Sequence, residues 1–342
     1  MRTFWALVVA RNKEFYRDNA TLIWGLVFPF IVILGFKFGY SGQSQDLFKV
    51  GVFQSPAITA SPATADFLKT KYISFVSLNG GDSASTELAI SKLRHHQYDL
   101  LLDPSGPGRY WINETSAKGS VVEKLLLGSS QSQPAIRQTV VGKELRYVDW
   151  LIPGIMAMNM MFSSLFGVGY TLVRYRKNGV LKRLKATPVT AFQFLTAQVL
   201  SRLSMILLTA SVLFGGTLIL VRFQMNGSYL SLLIFMIVGA IAMISLGLIV
   251  ASRISSEEVA EGVLNVLTWP MMFLSGIWFS LEGASPGIRT FSKLFPLTHI
   301  VDGMRAIIID GASLTSLWPQ MLFLMILSAV FLTIGSIIFK WS

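Results

Sequence analysis

The sequence predicts an all-α polytopic membrane protein of six transmembrane helices, with an α/β domain inserted after the first. Three observations carry that reading. Of 342 residues, 52% are hydrophobic and only 14% charged, with a mean hydropathy of +0.57, against about 25% charged in an ordinary soluble chain. Six runs reach the roughly 20 apolar residues that a helix needs to cross the hydrocarbon core. The stretch 41–149 changes character, with Pro, Ser, Gln and balanced charges in place of apolar runs.

Taken in order, residues 1–20 read as an amphipathic helix lying in the cytoplasmic interface, because Phe4, Trp5, Leu7, Val8, Phe15 and Tyr16 share a helix face interleaved with basic residues. Span one covers 21–40. It reads as an uncleaved anchor: Arg11, Lys13, Glu14, Arg17 and Asp18 precede it, and Ser41-Gly42-Gln43 is a poor small-x-small cleavage site. In 41–149, strands are expected at Val50–Phe53, Ile73–Leu78, Asp99–Asp103 and Arg109–Ile112 and a helix at Ser85–His96. Spans two to six follow at 150–173, 196–221, 229–252, 262–281 and 317–339. Before the last, within 282–316, Ile288–Leu297 and Ile300–Ile309 flank Pro296; each is too short to span and fits a helix that dips into the outer leaflet and returns.

Charge sets the orientation. The loop 174–191 carries Arg174, Arg176, Lys177, Lys182, Arg183 and Lys185 without an acid, and the N-terminal stretch adds Arg2, Arg11, Lys13 and Arg17. Stretch 41–149 holds 11 basic and 10 acidic residues. Excess positive charge marks the cytoplasmic side, so both termini are expected there, and nucleic acid is not needed to explain the net charge of +11. The chain has no cysteine and three histidines, which excludes disulfides and thiolate metal sites and leaves no expected metal centre. His95 and His96 read as a solvated helix end. No GxxxxGK[ST], HExxH or GxSxG occurs, so no ATP site or nucleophile is expected in this chain.

Polar residues within the spans need an explanation. Arg202 lies near the cytoplasmic end of its span and is expected to snorkel or pair there. Asn159 and Asn265 either bond across helices or meet a substrate. Gly35/Gly39 and Ser163/Gly167 read as small-xxx-small packing pairs. Pro270 is expected to kink span five, which opens with a capping box of Ser255 and Glu258 and with Glu257, Glu258 and Glu261 at its N-terminus. Those acids either cap the helix, touch a partner or lock a closed state.

The segment Tyr175–Pro188 is basic, short and bounded by Pro. Val180, Leu181 and Leu184 form one apolar edge of a short helix, Lys182, Arg183 and Lys185 occupy the rest, and Gly179 and Pro188 delimit it. Two readings stand: a helix that docks in another protein's groove, or a positive loop held at lipid headgroups.

At these residues the sequence resembles the membrane subunits of type-2 ABC exporters. Similar permeases carry a Gly-x-Leu-x-x-Leu-x-x-Thr-Pro run, here Gly179, Leu181, Leu184, Thr187 and Pro188, and a late Ser-Gly, Pro, Arg region, here Ser275, Gly276, Pro296 and Arg305, with Gly311 after it. Two departures stand out. Many relatives have an acid before that first Gly, where this chain has Arg176 and Lys177, and many have a Pro soon after Ser-Gly, where this chain reads Trp278-Phe-Ser-Leu-Glu-Gly.

The resemblance implies an ATP-driven exporter of the inner membrane. Two permease subunits pair, as homo- or heterodimer, and each rests on a separate ATPase that binds ATP and Mg; this chain holds no cofactor itself. Gly179, Leu181, Lys182, Arg183, Leu184, Thr187 and Pro188 become the coupling helix, with Glu257 and Glu258 beside it. Asn159, Asn265, Pro270, Ser275, Gly276, Pro296 and Arg305 are candidates for the path or its gate. An amphipathic drug or lipid fits the apolar bundle, membrane lipid surrounds it, and a periplasmic adaptor is open. Two other classes are weighed: a lipid-modifying enzyme using Asp99, Asp103 and Glu114, and an envelope scaffold.

Overall fold

The computed structural model describes residues 2–39, 48–53, 67–68, 70, 72–78, 83–94, 96–103, 109–129, 136–140, 146–223, 225–254, 256–281 and 284–339. The chain divides into two compact units, one of Met1–Gly39 with Tyr147–Ser342 and one of Tyr40–Arg146.

The second unit holds a five-stranded sheet of β1 (Phe48–Phe53), β2 (Ile73–Leu78), β3 (Leu100–Asp103), β4 (Arg109–Asn113) and β5 (Ile136–Val140) in the order β2-β1-β3-β4-β5. All neighbours are parallel except β3 with β4. Alternate residues serve opposite faces. Val50, Leu100, Leu102 and Ile112 pack with Val122 and Leu126 of α4 (Ala117–Ser129), whereas Phe53, Leu101 and Trp111 pack with Ala89 and Leu93 of α3 (Ser83–Arg94). Neither α4 nor β5 was expected from the sequence.

The first unit begins with α1 (Arg2–Arg17) and α2 (Asn19–Gly39), and continues with α5 (Tyr147–Lys177), α6 (Val180–Lys185), α7 (Ala191–Val221), α8 (Tyr229–Arg253), α9 (Glu257–Leu274), α10 (Pro286–Ser292), α11 (Pro296–Ile308) and α12 (Trp318–Ile338). At the centre, α8 packs against α5, α7, α11 and α12, and its Phe235, Ala240, Ala242, Met243 and Ile244 are fully buried. Among the described residues, four helices are long and apolar enough to cross a membrane, at 147–177, 192–221, 229–252 and 318–338. The apolar run of α2 is Gly25–Lys37, and α9 is 18 residues long. The protein is thus a polytopic, mainly helical membrane protein.

Several expectations need correction. The fifth apolar run is helical only as far as Leu274; the helix, which starts at Glu257, passes through Pro270 for one further turn and stops where Ser275 caps it and Gly276 takes φ 69°, a left-handed conformation that suits a residue without Cβ. The cap of α9 is Ser256, whose hydroxyl accepts from Val259 N, and Ser255 lies outside the described residues. The two short helices are α10 and α11, not 288–297 and 300–309, because Pro286 and Pro296 each fit a first helical turn and so fix the starts. The basic loop is shorter than 174–191, since α5 continues to Lys177 and Thr190 with Gln193 forms a capping box for α7. At Gly35 a Cβ would meet nothing within 4 Å, so among the described residues it makes no close helix approach.

Candidate functional site

The short helix α6 is set by its two ends. Gly179 at φ 67° turns the chain out of α5, and the amides of Ala186 and Thr187 close on the carbonyls of Arg183 and Leu184. Leu181 is fully buried against its own chain, whereas Lys182, Arg183, Lys185, Thr187 and Pro188 are exposed and Leu184 is half-buried. This corrects the expectation for Leu181: it anchors the helix instead of offering an edge to a partner. The outward surface is basic.

Behind α6 stand the two residues that depart from the family pattern, Arg176 turned inward and Lys177 exposed. Arg176 is buried; its Nη1 donates to the carbonyl of Ala251 at 2.9 Å and to that of Ile254, and its Nη2 to that of Ser252 at 3.0 Å. A cation there satisfies the orphan carbonyls at the C-terminus of α8 and complements its dipole. Lys177 Nζ lies 3.4 Å from Glu257 Oε1, and Glu257 also accepts from the Tyr170 hydroxyl. That hydrogen bond, with Lys177 adding to it against partial desolvation, holds the Glu257 carboxyl below its ordinary range. Glu258 is likewise lowered, first by the Ser256 hydroxyl. The root of α6 is therefore fastened to the end of α8 and the start of α9.

A cavity of about 1260 Å³ lies among α1, α2, α5, α7 and the first turns of α9. Its wall runs along α5 from Met158 to Arg174, about 24 Å of helix. Arg11 of α1 donates to the Gly167 carbonyl at 3.0 Å and the Thr171 hydroxyl at 2.6 Å, and pairs with Glu14 at 2.8 Å; the Tyr175 hydroxyl also donates to Glu14. Ser201 of α7 donates to Asn12, so α1 is tied to both α5 and α7. Arg202 is 7% exposed, its Nε donates to the Ser163 carbonyl at 2.5 Å, and its Cζ sits 5.5 Å from the centre of the Phe15 ring. It does not snorkel. A Cβ on Gly167 would lie 1.8 Å from that Cζ, so only glycine lets the guanidinium lie there.

Asn159 lines the same cavity and also bonds across helices, its Nδ2 donating to the Gly25 carbonyl at 2.7 Å. Asn265 stands half-buried on α9, and Pro270 is exposed there; neither faces the cavity.

The other motif residues converge elsewhere. Arg305 stacks on Trp150 with Cζ 3.6 Å from the ring centre, and its Nη2 donates to the Gly276 carbonyl at 2.7 Å. Longer contacts reach the carbonyls of Ile277 at 3.4 Å and Trp150 at 3.3 Å. Ser275 accepts from the Thr298 hydroxyl at 3.0 Å, two residues beyond Pro296. Ser275, Gly276 and Arg305, with Trp150 and Thr298, thus form one brace that joins the end of α9, the start of α5 and α11, while Pro296 starts α11. Sequence reasoning missed Trp150, Thr298 and the Arg11–Glu14–Tyr175 group, which join positions far apart in the chain.

Among the described residues no group of three His, Asp or Glu is placed to hold a metal. His96 Nε2 lies 3.2 Å from Thr115 Oγ1, and His95 is outside the described residues. Of the acids considered for an enzyme, Asp99 is buried and accepts from Lys49 N at 2.7 Å, and Glu114 lies 3.8 Å from Arg137.

A bundle of apolar helices, a basic helix slung between two of them and a large cavity at the same end define an integral membrane protein of transporter type. The chain belongs to the ABC-2 transporter family, whose model matches residues 20–337. It is 26% identical over 198 residues to the inner membrane transport permease YhhJ of Escherichia coli K12, covering 55% of this chain and 51% of the relative. To the probable multidrug ABC transporter permease YbhR of the same organism it is 22% identical over 185 residues, 54% and 50% of the two chains. ABC transporter G family member 20 of Dictyostelium discoideum matches at 24% over 196 residues, 56% of this chain and 27% of that one. Each match to the two bacterial permeases spans about half of that relative's length.

Proposed function

We propose that this chain is the membrane permease subunit of an ATP-driven ABC exporter. Its six spans lie within α2, α5, α7, α8, α9 and α12, Glu257 and Glu258 standing outside the membrane at the cytoplasmic start of α9, with α10 and α11 re-entrant and the Tyr40–Arg146 unit outside the cytoplasm. Both termini are cytoplasmic, in an inner membrane. Two permease subunits pair, and each rests on a separate ATPase that binds ATP and Mg. An amphipathic drug, lipid or similar substrate enters the cavity from the cytoplasmic side, and an adaptor on the outer unit is a further partner.

The observation that carries this reading is the mounting of α6. A helix of six residues, anchored by Leu181 and exposing Lys182, Arg183 and Lys185, is fastened at its root through Arg176 to α8 and through Lys177 to α9. A push on that basic face moves three spans together. Closure of the ATPase pair supplies the push, and the brace around Arg305 transmits or resists tilting at the far end. Gly179, Leu184, Thr187, Pro188, Glu257 and Glu258 shape the coupling unit; Asn159 lies on the path.

The test is co-purification in detergent of the tagged chain with its ATPase, wild type against Lys182→Glu/Arg183→Glu. Both residues are exposed, so the fold is untouched. A nucleotide-hydrolysing subunit retained by the wild type and lost by the variant supports the reading; equal retention, or none in either, refutes it.

A further inference from the structure

The charge around the cavity does not balance at its centre. Arg11 and Arg202 both meet α5 at Gly167, the first bonded to its carbonyl and the second lying over its Cα. One carboxylate, Glu14, serves Arg11. Arg202 is more than nine-tenths buried, donates only through Nε, and its two terminal nitrogens have no partner among the described residues. A buried cation without a counter-charge is costly. Here it borders the cavity.

The surroundings of Arg202 grade along α5. Arg174 stands seven residues to one side of Gly167, about 10 Å, and Lys13 and Arg17 also line the cavity. Towards the other side Phe162, Met158 and Phe28 give the wall apolar surface, with Asn159 and Ser163 among them. Glu261 and Asp18 also line the cavity. A ligand satisfying this arrangement has an acidic head and an apolar tail.

We propose that the cavity binds an anionic amphiphile, its acidic head on the free nitrogens of Arg202 and its tail along Phe162, Met158 and Phe28. The proposal rests on the permease reading and names the substrate class of that site. The head belongs to a bilayer lipid or to a small amphiphilic solute; the chemistry is shared, and the experiment separates the sources. Gly167 is a positioning residue, since its lack of Cβ makes room for the guanidinium.

The permease with its co-purifying ATPase, in phosphatidylcholine nanodiscs, is titrated with radiolabelled dodecyl phosphate, and dodecyl maltoside and dodecyltrimethylammonium serve as competitors. Saturable binding is expected, displaced by neither competitor at equal concentration. Arg202→Lys keeps most of it. Arg202→Gln weakens it about ten- to a hundredfold, as loss of hydrogen bonds to a charged group does, without lowering the melting temperature, because an uncompensated charge has been removed. Gly167→Ala, which displaces the guanidinium, weakens binding too and serves if Arg202→Gln does not fold. With phosphatidylglycerol in the nanodisc, suppressed binding assigns the site to lipid and unchanged binding to a solute; both support the proposal. Wild-type binding that is absent, equal displacement by dodecyl maltoside, or Arg202→Gln or Gly167→Ala binding like wild type overturns it. Retained ATPase with failed binding sinks this inference alone, and binding without any ATPase sinks the permease reading alone.

Discussion

Replacing Arg305 by alanine removes the brace that joins the end of α9 to α11 and to the start of α5. The magnitude follows from its contacts. The Nη2 bond to the Gly276 carbonyl, at 2.7 Å, is short and charge-assisted, and a bond of that kind contributes about 1.5–3 kcal/mol. Contacts at 3.3 and 3.4 Å lie beyond the optimal range and add little. The stack on Trp150 at 3.6 Å adds about 2 kcal/mol when desolvated. Together the loss is about 4 kcal/mol. At about 2–4 °C per kcal/mol for a unit of this size, the melting temperature falls about 8–16 °C. Thermal denaturation in detergent, followed by fluorescence-detected size exclusion, measures it. Arg305→Lys keeps a cation over Trp150 without the guanidinium fork and falls between the two. Arg305→Ala melting within about 2 °C of wild type, or Arg305→Lys no better than alanine, refutes the reasoning.

Leu181→Asp places a charge at a fully buried position, so a loss upward of about 4 kcal/mol is expected, read as loss of the monodisperse peak; a folded Leu181→Asp protein contradicts the anchoring role. Asn159→Ala removes one cross-helix bond and costs about 0.6 kcal/mol, at most about 1.7, so its melting temperature moves little, whereas a large drop points to a wider network. Glu257 gives a pH dependence. Its folded pKa lies below the ordinary 4.5 because Tyr170 and Lys177 favour the carboxylate; this stability is present above the unfolded pKa and is lost as pH falls through the folded one. Wild type should therefore lose more melting temperature on acidification below about pH 4.5 than Glu257→Gln does, and parallel curves for the two proteins would speak against that tie.

Hydropathy made the long helices α5, α7, α8 and α12 legible, because a run of apolar residues is a local property of the chain. Short apolar runs did the same for β1, β3 and β4, most of whose residues are buried, and for β2, which is mostly half-buried. Strand β5 escaped because four of its five residues, Ile136 to Thr139, are exposed, so no buried face marks it. Helix α4 carries Gly119 and Gly128 and only weak periodicity. Proline and glycine set boundaries that apolar counting overshot: Pro296 starts α11, and Gly276 ends the α9 segment before the run of apolar residues does.

The site was legible in composition but not in orientation. Spacing put Val180, Leu181 and Leu184 on one edge of α6, yet periodicity does not say whether an edge faces a partner or its own bundle; Leu181 faces inward. Arg176 looked like charge offered outward, and instead it caps α8, because free carbonyls at a helix end are strong acceptors for a guanidinium. The gathering of Arg11, Glu14 and Tyr175 joins residues more than 150 positions apart, and no local pattern announces it. Of the late motif, Gly276 meets Arg305 and Ser275 meets Thr298 on the same helix as Arg305, a gathering that the spacing of Ser275, Gly276 and Arg305 in the chain does not itself announce.

The most direct measurement of the central claim uses the absence of native cysteine. Ala186, exposed just past α6, is changed to cysteine and labelled with benzophenone maleimide in membranes; Leu220→Cys, exposed near the other end of α7, is the control. After illumination, the account predicts that position 186 forms an adduct with a nucleotide-hydrolysing protein and position 220 does not. No such adduct at 186, or an equal one at 220, contradicts it.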